Sequence, residues 1–146
     1  MPDRKATAEW NGTLKEGEGK MKLASGAFEG KFSFNTRMGD EPGTNPEELV
    51  AASLAGCYSM ALNATLEKQG TPARNVKSEA TVHFGKDDNG FAIQSIDLET
   101  TADVPGLSDE DFQQVAENVK ETCPISKALA AVTINLHAHL AKTSVA

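Results

Sequence analysis

The sequence predicts an α+β fold, and three observations carry that expectation. Several segments alternate apolar and polar residues with the period of a strand. One stretch, residues 44 to 69, has the length and apolar content of a single long helix. Near the C-terminus a second capped helix is interrupted by a proline and followed by one more alternating segment. In order the elements read βββ-α-ββ-αα-β. A length of 146 residues suits one domain. Within residues 1–146 we expect N-terminal strands over 1–43, a central helix over 44–70 and a ββααβ part over 71–146.

Lys5 to Trp10 alternates and predicts a first strand, with Asn11-Gly12 as a hairpin signal before the Gly-rich run 16–19. Lys20 to Ala24 alternates again and Ser25-Gly26 stops it. Lys31 to Thr36 predicts a third strand with Phe32 and Phe34 on one face; Ser33, Asn35 and Arg37 then fall on the other. A loop rich in Gly and Pro covers 38–43. Asn45 suits a helix N-cap, Pro46 the first helical position, and Glu47 and Glu48 the positive end of the helix dipole. From Leu49 to Leu66 the helix has no clean polar face, so it is expected to be buried on most sides. Gly70 is a fitting C′ residue.

Val76 to Phe84 alternates, Asp87-Asp88-Asn89-Gly90 predicts a turn, and residues 91 to 104 predict a long strand whose ambiguous register suggests a bulge. Ser108 to Asp111 has the form of a capping box. Phe112, Val115, Val119 and Cys123 follow as one apolar stripe, and Pro124 breaks it before a short helix over 125–131. Residues 132 to 140 alternate cleanly, and the tail 141–146 is expected to fray.

Aromatic residues are few (one Trp, one Tyr, six Phe), so the core must be largely aliphatic. A net charge of −7 argues against a nucleic-acid surface. Residues 1 to 20 are polar and lack the apolar run of a signal peptide. Ser53, Ser59, Asn63, Thr65 and charged flanks argue against reading the long helix as a membrane span. A cytoplasmic protein is the expectation. There, two cysteines are more often free, redox-active or catalytic than a structural staple.

The plainest reading of Cys57 is a small buried hydrophobe. Burial raises a thiol pKa, so reactivity requires a nearby cation. Arg37, just before the loop that feeds the helix, is the best candidate, although a solvated strand end would also explain it. A carboxylate would hold such an arginine by paired hydrogen bonds, and Glu47 or Glu48 could serve. Ten residues separate Glu47 from Cys57, about 15 Å along a helix. If both belong to one site, the glutamate comes from a second, antiparallel copy. The expectation is a two-fold homodimer with a site made across its interface.

Cys123, at a helix junction beside proline, can be read as one more buried cysteine or as a resolving thiol for Cys57. His83, His137 and His139 show no ligand spacing with the cysteines, so no metal is expected. No Gly-rich phosphate loop is present and no nucleotide cofactor is expected. A Cys-His hydrolase stays open, as does a non-enzymatic redox-sensing or ligand-binding dimer.

Asn35-Thr36-Arg37, the run Gly43-Thr44-Asn45-Pro46-Glu47-Glu48-Leu49, Cys57-Tyr58-Ser59-Met60-Ala61-Leu62 and Cys123-Pro124-Ile125-Ser126 together resemble the OsmC/Ohr family of organic hydroperoxide reductases. Trp10-Asn11-Gly12 and Asp103-Val104-Pro105-Gly106 extend the similarity to nearly the whole chain. The position of Arg37 is closer to the OsmC branch. The resemblance implies an intertwined homodimer of antiparallel sheets wrapped around long central helices. It implies a thiol peroxidase in which Cys57 is the peroxidatic thiolate, Cys123 the resolving thiol, and Arg37 with Glu47, rather than Glu48, the ion pair beside the reactive sulfur. It also implies an organic hydroperoxide substrate, a dithiol reductant such as a lipoylated protein, and no metal or flavin.

Overall fold

A computed structural model describes residues 1–142. The expectation of a frayed tail falls, from residue 143 onward, outside the described residues. The elements run β1 (Ala6–Asn11), β2 (Glu18–Leu23), β3 (Glu29–Phe32), α1 (Phe34–Met38), α2 (Pro46–Lys68), β4 (Asn75–Asp87), β5 (Gly90–Asp103), α3 (Asp109–Thr122), α4 (Pro124–Ala128) and β6 (Thr133–Leu140). They form two compact units, Met1–Leu49 and Val50–Ala146.

In the first unit β1, β2 and β3 make an antiparallel meander. Gly19 lies between Trp10 and Phe32 in register. The two rings approach to 5.4 Å over it. A Cβ at Gly19 would fall 2.5 Å from the Phe32 ring, so only glycine lets these rings meet.

The expected strand over 31–36 is corrected here: β3 ends at Phe32, and Phe34 to Met38 is helical. Ser33 is the N-cap. Its hydroxyl accepts from the Thr36 N–H at 3.2 Å while the Thr36 hydroxyl accepts from the Ser33 N–H at 2.8 Å. This reciprocal cap satisfies the backbone more locally than a fifth ladder position could. Arg37 is therefore a residue of a short helix and not the end of a strand.

The start of α2 follows its sequence signals. The Asn45 side chain accepts from the Glu48 N–H at 2.7 Å, and Pro46 is the first helical residue.

In the second unit α2 ends in a Schellman arrangement. The Thr71 N–H reaches the Leu66 carbonyl at 2.9 Å and the Gly70 N–H reaches Glu67 at 3.0 Å, with Gly70 at φ +84°. One face of α2 is buried: Leu54, Tyr58, Leu62 and Leu66, spaced by four. They join Ile96, Leu98 and Ala102 of β5 and Phe112, Val115, Ala116 and Val119 of α3 in one core. Each leucine, isoleucine, valine or phenylalanine among them contributes about 1.5–3 kcal/mol of burial.

Two polar contacts tie the helix down inside this core. The Tyr58 hydroxyl donates to the Ala116 carbonyl at 2.9 Å. The hydroxyls of Ser59, Ser78 and Thr100 form a chain at 2.8 and 2.6 Å. By length and composition α2 could cross a membrane. Its Leu54–Leu66 stripe is instead packed against protein.

The expectation that this helix is buried on most sides is not met within one chain. Ala52, Gly56, Met60, Asn63 and Ala64 are exposed. Met60 is 78% exposed.

β4 and β5 pair antiparallel through the turn at residues 87–90, and the bulge falls at Gln94, between the partners of His83 and Phe84. The second sheet is not antiparallel throughout. β6 runs parallel to β5, because the chain returns through α3 and α4, a crossover that a parallel neighbour requires.

Candidate active site

Arg37 and Glu47 are brought together in the first unit. The guanidinium Nε lies 3.1 Å from both Glu47 carboxylate oxygens, and Nη2 lies 2.6 Å from Oε1. This is a two-pronged, charge-assisted contact that fixes the plane of the guanidinium as well as its position. The arginine side chain is 39% exposed and the glutamate 12%. Glu48 makes a different contact, accepting from the Thr44 hydroxyl at 3.1 Å.

The ends of the pair are set by neighbours that sequence reasoning passed over. The Thr36 hydroxyl donates to the Thr44 carbonyl at 2.9 Å, and the Asn45 amide donates to the Thr36 carbonyl at 3.3 Å. These bonds tie α1 to the residues leading into α2. The Ser-x-x-Thr capping pattern was the available signal; the alternation of Phe32 and Phe34 hid it.

In the second unit Cys57, on α2, meets Cys123, at the junction of α3 and α4. Their sulfurs are 3.1 Å apart and both thiols are free. Cys57 is half-buried and Cys123 buried. Pro124 forces the junction, since it has no N–H with which to continue α3. The Cys123 N–H still closes α3 onto Val119 at 2.8 Å, while its carbonyl accepts from the Lys127 N–H at 3.0 Å to open α4. The thiol is thereby held at a rigid corner.

The surroundings treat the two sulfurs differently. Burial pushes the Cys57 thiol up, and its hydrogen bond to Cys123 pushes it further. Burial also raises Cys123, but donors outweigh it: the Ser126 N–H, the Cys57 thiol, the Ser126 hydroxyl and the Ile125 N–H bring Cys123 below the ordinary thiol value. The two thiols share one hydrogen bond, which either sulfur can donate. A hydrogen bond from the Cys57 S–H favours the anion on Cys123. Within this unit, then, Cys57 is not the favoured thiolate. A cation brought to Cys57 is what would reverse the order.

The histidines stand elsewhere. His83, His137 and His139 occupy exposed positions on the sheet. His83 contacts Asp97 at 2.7 Å, and Asn135 donates to the same carboxylate at 3.1 Å. These contacts, the His83 one first, hold Asp97 below the usual carboxylate range. Among the described residues, no group of three or more His, Cys, Asp or Glu is placed to hold a metal ion.

Comparisons with known proteins add to this geometry. The family model for OsmC-like proteins matches residues 39–137. The chain is 39% identical over 129 residues to a protein of Escherichia coli named peroxiredoxin OsmC, covering 88% of this chain and 90% of that one. It is 30% identical to an organic hydroperoxide resistance protein of Xanthomonas axonopodis, covering 76% of this chain and 78% of that one. In structure it is similar to an organic hydroperoxide resistance protein of Elizabethkingia anophelis, with TM-score 0.77, 25% identity and 98% of each chain covered. The paired thiols, the two-pronged arginine and these likenesses converge, and the chain belongs to the family of OsmC-like proteins.

Proposed function

We propose that the protein is a cysteine-based peroxidase that reduces organic hydroperoxides to alcohols through a Cys57 sulfenic acid and a Cys57–Cys123 disulfide. The observation that carries this reading is the 3.1 Å approach of the two free thiols. Relatives named as a peroxiredoxin and as organic hydroperoxide resistance proteins support the reaction class and a role in stress defence.

The Cys57 thiolate attacks one peroxide oxygen, the O–O bond breaks, and the alkoxide leaves and takes a proton as the alcohol. Cys57 is left as S–OH. Cys123 condenses with it to the disulfide, releasing water, and a dithiol reductant such as a lipoylated protein restores both thiols. The sulfurs carry both electrons throughout, so this route needs no metal or flavin. Arg37 favours the Cys57 thiolate and donates to the developing alkoxide, while Glu47 fixes the guanidinium.

The site is completed by a second copy of the chain. The bias of the thiol pair toward Cys123 supports this, because a cation beside Cys57 is what would favour its thiolate. The exposed face of α2 supports it as well. Gly56 lies mid-helix, where glycine costs about 1 kcal/mol relative to alanine. A Cβ there would meet nothing within 4 Å. With Ala52 and Met60 one turn to either side, that face suits close approach by another helix. We read both units as one functional domain of a soluble, cytoplasmic homodimer, consistent with the net charge of −7 and without nucleic-acid or membrane partners.

The reading is tested by consumption of an alkyl hydroperoxide with a dithiol reductant. We expect multiple turnovers from the parent, none from Cys57→Ser, and sharply reduced cycling from Cys123→Ser. Full multi-turnover activity in Cys57→Ser would end the proposal, and consumption of one peroxide per thiol pair by the parent would make it a sensor instead.

A further inference from the structure

The two ends of a Cys57–Cys123 disulfide are unequal targets. Cys123 is 1% exposed and belongs to the hydrophobic core, whereas Cys57 is half-buried and packs against the edge of that core. The backbone of Cys123 is pinned from both sides. Its N–H donates to the Val119 carbonyl at 2.8 Å, and its carbonyl accepts from the Lys127 N–H at 3.0 Å. The sulfurs already meet at 3.1 Å, so closing the disulfide leaves Cys123 in the core and Cys57 at its edge. Thiol–disulfide exchange depends on which sulfur can be reached and on how readily the other departs.

We propose that reduction of this disulfide is regioselective: the dithiol reductant attacks the Cys57 sulfur, and Cys123 is the leaving thiolate. The inference rests on the Cys57–Cys123 disulfide of the peroxidase reading above. A thiolate of the reductant forms an S–S bond to Cys57 as the Cys57–Cys123 bond breaks, and Cys123 departs with the electron pair. The reductant's second thiolate then attacks its own first sulfur. That closes the reductant's internal disulfide and releases Cys57 as a thiolate. The reductant is oxidised by two electrons and the cysteine pair is reduced by two. The two protons of the reductant's thiols pass to the released thiolates or to solvent.

Access and leaving ability agree. The proposed cycle brings the hydroperoxide to Cys57, so the reductant can use the same approach and needs no second one. The surroundings of Cys123 hold its thiol below the ordinary value, and a thiol of lower pKa leaves faster. Attack at Cys123 would instead expel Cys57, whose thiol burial pushes up. It would also require the corner between α3 and α4 to open. Cys57 therefore carries both covalent intermediates, the sulfenic acid and the mixed disulfide with the reductant, while Cys123 bonds only to Cys57.

The experiment opens the disulfide with a monothiol, which cannot complete the second exchange. The full-length chain is oxidised with diamide, so that the outcome does not depend on turnover of peroxide. 2-Mercaptoethanol is added, the reaction is stopped early with N-ethylmaleimide in guanidinium, and peptide mass spectrometry locates the two adducts. Mercaptoethanol on Cys57 with maleimide on Cys123 should exceed the reverse pattern by at least about tenfold. When the oxidised chain is unfolded in guanidinium before the monothiol is added, the two patterns should approach equality.

A folded protein that carries mercaptoethanol equally on both cysteines, or more on Cys123, overturns the proposal. So does a preference that survives unfolding, or a failure of diamide to close the disulfide. Failure to consume an alkyl hydroperoxide, alongside mercaptoethanol on Cys57, would instead defeat the peroxidase reading and leave the point of attack established.

Discussion

The sulfurs of Cys57 and Cys123, 66 residues apart in the chain, face each other at 3.1 Å. A disulfide needs about 2.05 Å, so about 1 Å of side-chain movement joins them and no element has to shift. Reduced and oxidised forms should therefore share one backbone fold. Under excess alkyl hydroperoxide, Cys123→Ser should leave Cys57 without its partner, and intact mass should show Cys57 advancing to the sulfinic acid. The parent should stop at the disulfide. Equal over-oxidation of both proteins would mean that Cys123 does not resolve Cys57.

The opposed pull on the two thiols makes the stability of the reduced protein depend on pH. Cys123 lies below the ordinary thiol value in the fold. Its contribution is present above the unfolded value of about 8.5 and is lost as pH falls through the folded one. Cys57 is raised. Its contribution is present below about 8.5 and is lost as pH rises through its folded value. Measured against the double serine variant under reductant, the parent's Tm should rise toward about pH 8.5 and fall beyond it. Cys123→Ser should keep only the alkaline fall, and a flat difference curve would refute the assignment.

Arg37 meets Glu47 through both Nε and Nη2, a geometry that lysine cannot copy. Arg37→Lys should therefore lose kcat/KM almost as severely as Arg37→Ala, by about 10²–10³-fold, the scale for one preorganised donor at a developing anion. Retention of most activity by the lysine variant would reduce the arginine's role to bulk charge.

Two inactive variants should restore each other if the site is shared between copies. In a mixed dimer of Arg37→Ala and Cys57→Ser, the intact Cys57 of one copy meets the intact Arg37 of the other. Mixing under conditions that exchange subunits should return up to about half of the parental activity per mixed dimer, since one of its two sites is whole. No recovery, with exchange verified by mass, would place all four residues in one chain's own site.

Gly56 offers a separate test of the proposed dimer. In an isolated chain Gly56→Ala would gain about 1 kcal/mol of helix stability. With a second helix seated against it, Gly56→Leu should shift the molecule toward monomer in size-exclusion chromatography and reduce turnover with it. A leucine variant that elutes and turns over like the parent would clear this face of any partner.

Much of the fold was legible because local chemistry and global structure agree. Asn45-Pro46, Gly70 and the turn at 87–90 carry their own backbone preferences, and the strand alternation from Val76 to Leu140 matches the side of the sheet each residue buries. Legibility failed where two local signals competed. Phe32 and Phe34 alternate like a strand, yet Ser33 and Thr36 cap a helix, and the cap won because it satisfies donors that a strand end leaves open. The direction of β6 was hidden because alternation has the same period in parallel and antiparallel ladders. In the site, the charged and nucleophilic types at Arg37, Glu47, Cys57 and Cys123 could be picked out along the chain. Spacing left Glu47 and Glu48 open and only the family resemblance favoured Glu47; the contact itself depends on where side chains meet.

The parallel pairing of β6 with β5 also orders events in time. Antiparallel neighbours such as β4 and β5 can zip from their turn, but β6 gains its ladder only after α3 and α4 have crossed over. Cys123 lies inside that crossover, between α3 and α4. During synthesis Cys57 emerges well before its partner. A chain stalled before Cys123 is made would carry Cys57 without the thiol it meets in the fold.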